Sequence, residues 1–497
     1  MDYQLLFHEY EQRYSLQTPA VRQSRQRRLY NCLREAILQG CIPAGAKLPG
    51  SRSLAAELHI ARNSVLYAYE QLVTEGLLRT LGGSTRVAQT TRVPGGEPGN
   101  TAGQANIAPL PVSMRARLTP WPSDPQGTYT AFVAGVPSLP DFPIPIWRRC
   151  LDRAWRGLSY QQLDYSDASG EPLLRQAIAE HLTSTRGVRC TAEQIFITDG
   201  TQQSLSICAH ACANAGDSVW VENPGYGGAF QTLKAAELTV IGIAVDKHGI
   251  APQESDWLQL PPKLIYTTPS HQFPLGSVMS IERRLALIEA AQRVGALIIE
   301  DDYDSEFRRD GPPLPAMQGL VEDAPVIYVG TFSKTVFPAL RIGFMVVPAG
   351  LVEAFCNLLR LGHLRGRSAE QLALAEFLRG GYFANHLKKM RRLYAARRDA
   401  LVAAIEKHLG SRVAIYGGSS GIHIAIALPE TSDDEQISQA ALAQGIYVQP
   451  LSKLATGKVL HKGLMLGYAQ VREEDMDKYI AILADVINAN NLQAQGV

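Results

Sequence analysis

The chain has 497 residues, of which 46% are hydrophobic and 19% charged, with a formal net charge of +1. That balance excludes a disordered chain and a uniformly basic, histone-like protein, and the length leaves room for about two to four domains. Apolar runs such as residues 296–299 fall far short of the ~20 residues that cross a bilayer. The first ten residues lack the basic-then-apolar pattern of a secretory signal, and seven cysteines without a CxxC pair fit reduced thiols better than disulfides or a zinc site. A cytoplasmic protein with no membrane partner and no metal is expected.

Residues 1–24 read as an N-terminal arm or extra helix without an assigned role. Residues 21–90 then carry ten Lys or Arg against four Glu. A basic segment on a mildly acidic chain points to a nucleic-acid module. Its pattern supports this over a merely solvated surface. Leu29, Leu33, Ile37 and Leu38 repeat at helical spacing, and Gly40 ends the run. Ser51 is placed to cap a short helix with Leu54, Ala55 and Leu58 inward. After a turn at His59–Ala61, a longer helix starts near Arg62 with Val65, Ala68, Tyr69 and Leu72 on one stripe. Leu78–Val87 reads as a hairpin turning at Gly82-Gly83. Helix, helix, turn, helix, hairpin is the order of a winged helix-turn-helix.

In that order Arg62, Asn63, Ser64 and Tyr67 lie near the exposed N-terminal end of the third helix, the part that enters a major groove. Arg62 can fork onto guanine or phosphate, and Ser64 suits phosphate oxygens. Arg52 starts the second helix and Arg86 lies on the wing. Lys47-Leu-Pro-Gly-Ser-Arg-Ser-Leu-Ala-Ala-Glu-Leu58 and Ala61-Arg-Asn-Ser-Val-Leu-Tyr-Ala-Tyr-Glu-Gln-Leu72 resemble the GntR-type domain, assigned here to residues 25–88. Leu66 stands where some relatives carry an Arg, so base preference does not transfer. Residues 89–125, with Pro94-Gly-Gly-Glu-Pro-Gly-Asn100, read as a tether.

Residues 126–490 alternate strand and helix patterns. Strands are expected at 194–198, 218–222, 263–267, 296–300, 326–329 and 342–347. Continuous apolar strands between helices indicate an α/β fold with a mostly parallel sheet covered on both faces. Ligands of such sheets bind beyond the strands' carboxyl ends. There lie Asp199-Gly200-Thr201-Gln202 opening a helix, Asn223-Pro-Gly-Tyr226, Asp301-Asp302-Tyr303, and Gly330-Thr331-Phe-Ser333-Lys334 with Arg341 seven residues on. A glycine turn at a helix N-terminus suits an anion. A lysine among hydroxyls with a nearby arginine suits a Schiff base to a phosphorylated aldehyde.

Taken singly, Lys334 reads equally as a surface lysine, Tyr226 as a core aromatic and Asp301 as a helix cap. In this order they resemble the fold-type I aminotransferases, with a small C-terminal α+β subdomain. The resemblance implies pyridoxal 5'-phosphate, with Lys334 as the catalytic, aldimine-forming lysine. It implies Asp301 at the ring nitrogen (Asp302 being its rival), Tyr303 at the ring oxygen and Tyr226 stacked on the ring. Gly200, Thr201, Gln202, Thr331, Ser333 and Arg341 would hold the phosphate.

Winged helix, linker and aminotransferase-like body together resemble the MocR/GabR family of transcription regulators. The resemblance implies a homodimer on double-stranded operator DNA that senses an amine, or the cofactor itself, through aldimine exchange at Lys334. Two features depart from working aminotransferases. His271-Gln-Phe-Pro-Leu-Gly276 replaces their Asn-Pro-x-Gly, and His271 either approaches the ring or is a partnered rim histidine. Their carboxylate-clamping Arg falls on Met465, with Arg360, Arg365, Arg367 or Lys453 as substitutes. A dedicated enzyme is therefore not expected, although residual transamination is compatible with the residues. The alternatives are an active aminotransferase with an accessory DNA-binding domain and a body that has lost its cofactor.

Overall fold

The computed structural model describes residues 1–17, 23–88, 113, 115, 131–165, 167–309, 311, 314–362 and 366–495. Apart from 113 and 115, the expected tether and the first five residues of the expected body lie outside them, as does Arg365. The chain divides into two compact units, Met1–Leu110 and Pro111–Val497.

The first unit contains α1 (Tyr3–Gln17), α2 (Arg25–Leu38), α3 (Ser51–Glu57), α4 (Arg62–Thr74), β1 (Leu78–Leu81) and β2 (Ser84–Val87). The expected apolar stripes meet in one core, where Leu29, Leu33, Leu54, Val65, Ala68 and Leu72 are buried. β1 and β2 pair antiparallel from Leu78↔Val87 to Leu81↔Ser84. The turn between them has positive φ at both Gly82 (54°) and Gly83 (77°), a conformation that favours glycine at both positions.

Two sequence expectations change. Gly50, not Ser51, caps α3; Ser51 is the first helical residue and its hydroxyl accepts from Arg62 Nε at 3.3 Å. The open choice between an arm and an extra helix at the N-terminus narrows to a helix: α1 buries Tyr3 and Phe7 in this core, and Glu11 pairs with Arg28 at 2.8 Å. The apolar spacing of α1 is too sparse to announce a core face, because only these two residues insert fully.

The second unit is built on β3 (Ile195–Thr198), β4 (Ser218–Asn223), β5 (Thr239–Asp246), β6 (Gly249–Ile250), β7 (Leu264–Thr267), β8 (Leu297–Asp302), β9 (Val326–Thr331) and β10 (Gly343–Val346). Their order is β3-β10-β9-β8-β7-β4-β5-β6. The pairs β9·β8, β8·β7, β7·β4 and β4·β5 are parallel, whereas β10 runs antiparallel to both β3 and β9. β3, β7, β9 and β10 are buried along their whole length, which is why they read as unbroken apolar runs. β5 is only half-buried and escaped the sequence reading.

A second sheet, order β11-β12-β14-β13, comprises β11 (Ile415–Gly417), β12 (His423–Ala427), β13 (Gln449–Pro450) and β14 (Gly463–Gly467), all antiparallel. The helix Tyr382–His408 leads into it. Its Ile424, Ile426, Leu464 and Leu466 share one apolar cluster with Ile195 and Ile197 of β3, so this subdomain is packed onto the body.

Candidate cofactor site and nucleic-acid interface

Asp301 and Asp302 end β8 instead of following it. Side chains alternate across a strand, so the two carboxylates face opposite ways. Asp301 turns toward β7, where Tyr266 donates its hydroxyl to Oδ2 at 2.8 Å; Oδ1 is buried without a partner among the described residues. Burial pushes its carboxyl up to about 7, against the hydrogen bond from Tyr266. Burial also opposes ionisation of Asp302, but Arg186 at 2.8 Å outweighs it and holds that carboxyl below the usual range. Tyr328 donates to the same Asp302 oxygen at 2.6 Å.

β9 ends at Thr331, three residues before Lys334. The Lys334 amine is enclosed and donates to the Gly135 carbonyl at 2.6 Å, across 199 positions of chain. Burial lowers its pKa, although Asp304 and Asp301 favour the charged form. A β-carbon on Gly135 would fall 2.9 Å from the Lys334 nitrogen, so the lysine lies flat against that backbone.

The phosphate cradle of the sequence reading assembles at one place. Gly200, at φ 108°, precedes the helix Thr201–Cys212, which has no side-chain cap, and a helix N-terminus of this kind suits an anion. A β-carbon on Gly200 would lie 3.9 Å from Arg341 Nη1 and 4.0 Å from Thr331 Oγ1, so these groups converge on one space. Ser333 N donates to Thr331 Oγ1 at 3.2 Å, which in turn donates to Ser333 Oγ at 3.1 Å. Gln202 Nε2 donates to the Tyr226 hydroxyl at 3.4 Å, and burial pushes that phenol up to about 12. Tyr226 precedes the helix Gly227–Ala235, and its ring meets Phe273 edge-on at 5.8 Å.

His271 is a partnered histidine. Its Nδ1 lies 3.0 Å from Asp304 Oδ1 and 3.1 Å from the Tyr303 hydroxyl, which donates to the His271 carbonyl at 2.9 Å. His271 Nε2 and His423 Nε2 are both buried without partners among the described residues. Of the four candidate clamps, Arg367 and Lys453 are engaged elsewhere, and Arg365 lies outside the described residues. Arg367 donates to Asp199 at 2.6 Å and to the Arg341 carbonyl at 2.7 Å, fixing a residue at φ 49°. Lys453 pairs with Glu435 at 3.2 Å, and Arg360 is exposed on the last turn of the helix Val352–Gly362. Met465 is fully buried in an apolar cluster with Leu275, Ala425, Leu451 and Leu454.

Gly135, Tyr266, Asp304 and His423 were missed in sequence. Tyr266 is legible in retrospect as a hydroxyl on a buried strand. Gly135 carries no local signal.

The residues fit pyridoxal 5'-phosphate on three counts. They offer an unpartnered buried carboxylate oxygen for a ring N–H, an enclosed amine of lowered pKa, and a glycine-bounded anion cradle with an arginine.

In the first unit, Arg52, Arg62, Asn63 and Arg86 are exposed, while Ser64 and Tyr67 are half-buried. Val65, Ala68 and Leu72 anchor the opposite face of α4. Arg86 is steadied by donating to the Gly45 carbonyl at 3.1 Å.

The first unit is the DNA-binding module and the second an aminotransferase-class body, so the protein is a regulator built from both. Residues 25–87 match the model of bacterial regulatory proteins of the gntR family, and residues 140–483 match aminotransferase class I and II. The probable rhizopine catabolism regulatory protein MocR of Rhizobium meliloti is 39% identical over 452 residues, covering 90% of this chain and 91% of that protein. The pyridoxine biosynthesis regulator PdxR of Corynebacterium glutamicum is 29% identical, covering 92% and 94%. A multiple substrate aminotransferase from Thermococcus profundus superposes with a TM-score of 0.70 at 25% identity, covering 77% of this chain and 98% of that one. The chain belongs to the MocR/GabR family of GntR-type transcription regulators, and its cofactor is pyridoxal 5'-phosphate. No helix among the described residues is long and apolar enough to cross a membrane.

Proposed function

We propose that this regulator senses a primary amine, or the cofactor itself, at Lys334 and converts that state into a change in operator binding. The observation that carries the reading is the Lys334–Gly135 hydrogen bond at 2.6 Å. Gly135 lies ten residues after the expected tether, 89–125. A lysine tied up covalently and a lysine that is free therefore present different partners to that backbone.

Pyridoxal phosphate supplies an aldehyde that condenses with primary amines and a ring that draws electrons. Asp301 would hold the ring N–H through its open oxygen, Tyr226 would pack against the ring, and Tyr303 would serve the ring oxygen with His271 and Asp304 positioning it. Gly200, Thr201, Gln202, Thr331, Ser333 and Arg341 hold the phosphate. The lowered pKa of Lys334 raises the fraction of neutral, nucleophilic amine.

On the DNA side, Arg62, Asn63, Ser64 and Tyr67 enter the major groove, while Arg52 and Arg86 contact the backbone or minor groove. Two chains act as a cytoplasmic homodimer on two half-sites. A coupling of about 1–3 kcal/mol between amine and operator suffices for a switch.

The buried, apolar setting of Met465 disfavours the reading as a working aminotransferase. The test is an absorbance titration of the cofactor-loaded protein with candidate amines, read beside binding to its own upstream DNA. Spectral change with no change in DNA binding rejects the sensor; sustained turnover with a keto acid favours the enzyme.

A further inference from the structure

We propose a second ligand site, outside the Lys334 cavity, for a small multivalent anion bearing phosphate or clustered carboxylates. It is a cleft of about 280 Å³ at the seam between the two sheets of the second unit. Four stretches of chain build it, one of them contributing Tyr468 after β14. Arg308 and Arg309 come from the segment after β8; Arg391, Arg392 and Arg398 come from the helix Tyr382–His408. Gly418, Ser420 and Gly421, between β11 and β12, form the third wall.

Among the described residues no carboxylate lines the cleft. The nearby counter-charges are Asp399, which accepts from Arg309 at 2.5 Å and from Arg398 at 3.2 Å, and Asp304, which lies behind Gly421. Arg391 Nε donates to the Glu306 carbonyl at 2.6 Å, which orients its guanidinium without neutralising it. Among the described residues Arg392 has no hydrogen-bond or ion-pair partner. Arg398 Nε and Ser420 Oγ are buried without partners, and Ser420 is only 2% exposed.

Like charges gathered this closely repel, and an anion that bridges them removes the cost. Planar guanidinium forks match phosphate and carboxylate oxygens two at a time. A concave space of this volume admits a small molecule and excludes a nucleic-acid duplex. Gly421 separates the cleft from the cofactor cavity. A β-carbon there would fall 2.2 Å from His271 Cε1 and 2.4 Å from Asp304 Oδ2, so this wall is one backbone thick. An anion in the cleft thus bridges the main sheet, the connecting helix and the C-terminal sheet, and rests against the residues that hold Tyr303.

The experiment is calorimetric titration of the cofactor-loaded full-length protein with pyrophosphate and, separately, citrate at constant ionic strength. One saturable site per chain for either anion is expected, accompanied by a higher melting temperature. Pyrophosphate alone marks a phosphate site and citrate alone a carboxylate site. Arg392→Ala and, independently, Arg391→Ala each weaken binding at least about ten-fold, and Arg392→Lys restores part of it. The site is refuted by absence of saturation with both anions, or by unchanged affinity in both alanine variants. Loss of DNA affinity in those variants without anion saturation also refutes it, because the arginines would then be DNA contacts.

Discussion

Asp301 and Asp302 are neighbours in sequence and face opposite sides of the sheet: one accepts from Tyr266 at 2.8 Å beside the Lys334 cavity, the other is locked to Arg186 at 2.8 Å in the core. A single step along β8 thus separates a carboxylate beside the Lys334 cavity from one held by Arg186 and Tyr328 in the core, each keeping one buried oxygen without a partner among the described residues.

Removing Arg186 tests that division. Arg186→Ala leaves Asp302 buried and unpaired, which costs about 3–5 kcal/mol. Its expected signature is a large fall in melting temperature of the second unit, with DNA binding by the first unit preserved.

Asp301 governs a pH dependence of the cofactor-free protein. Its folded pKa, about 7, lies above its ordinary value of 3.8, so between these values the folded state binds more protons than the unfolded state. Its contribution to stability is therefore largest at low pH and declines as pH rises from about 4 to 7. Comparison of chemical denaturation for wild type and Asp301→Asn across this window should show the flatter profile in the variant. Cofactor affinity should fall in the same variant.

Lys334→Ala should remove the borohydride-fixable pyridoxyl adduct and the effector response. Salt-dependent DNA binding should persist, because the winged helix has its own core. Peptide mapping after reduction and gel-shift titration check the two halves. An intact effector response in this variant would falsify the sensing mechanism.

The two arginines of the winged helix should separate by their salt behaviour. Arg52→Ala, at the proposed backbone contact, weakens binding to all sequences and lowers the slope of log K against log salt by about 1. Arg62→Ala, at the groove end of α4, costs about 1–3 kcal/mol and relaxes sequence preference. Fluorescence anisotropy at several salt concentrations measures both.

Much of the site was legible because short-range chemistry carries it. Lys334, Thr331, Ser333 and Arg341 sit in one stretch, and Gly200 with Thr201 announces a turn into a helix. The strands of the sheet centre are apolar throughout because they are covered on both faces. What escaped was set by distance or by half-burial. β5 mixes exposed and buried positions, α1 inserts only two side chains, and the Ser51 cap failed because Gly50 already supplies the extended backbone that precedes the helix.

The amino-acid order by itself determined the two-part architecture, the winged helix and the lysine–arginine signature, since each rests on local periodicity or on residues a few positions apart. Only the tertiary structure set Asp301 and Asp302 in different surroundings, gave His271 its partners Asp304 and Tyr303, and brought Gly135 against Lys334. Those choices depend on which strand lies beside which and on contacts spanning up to 199 positions of chain, information no local pattern contains.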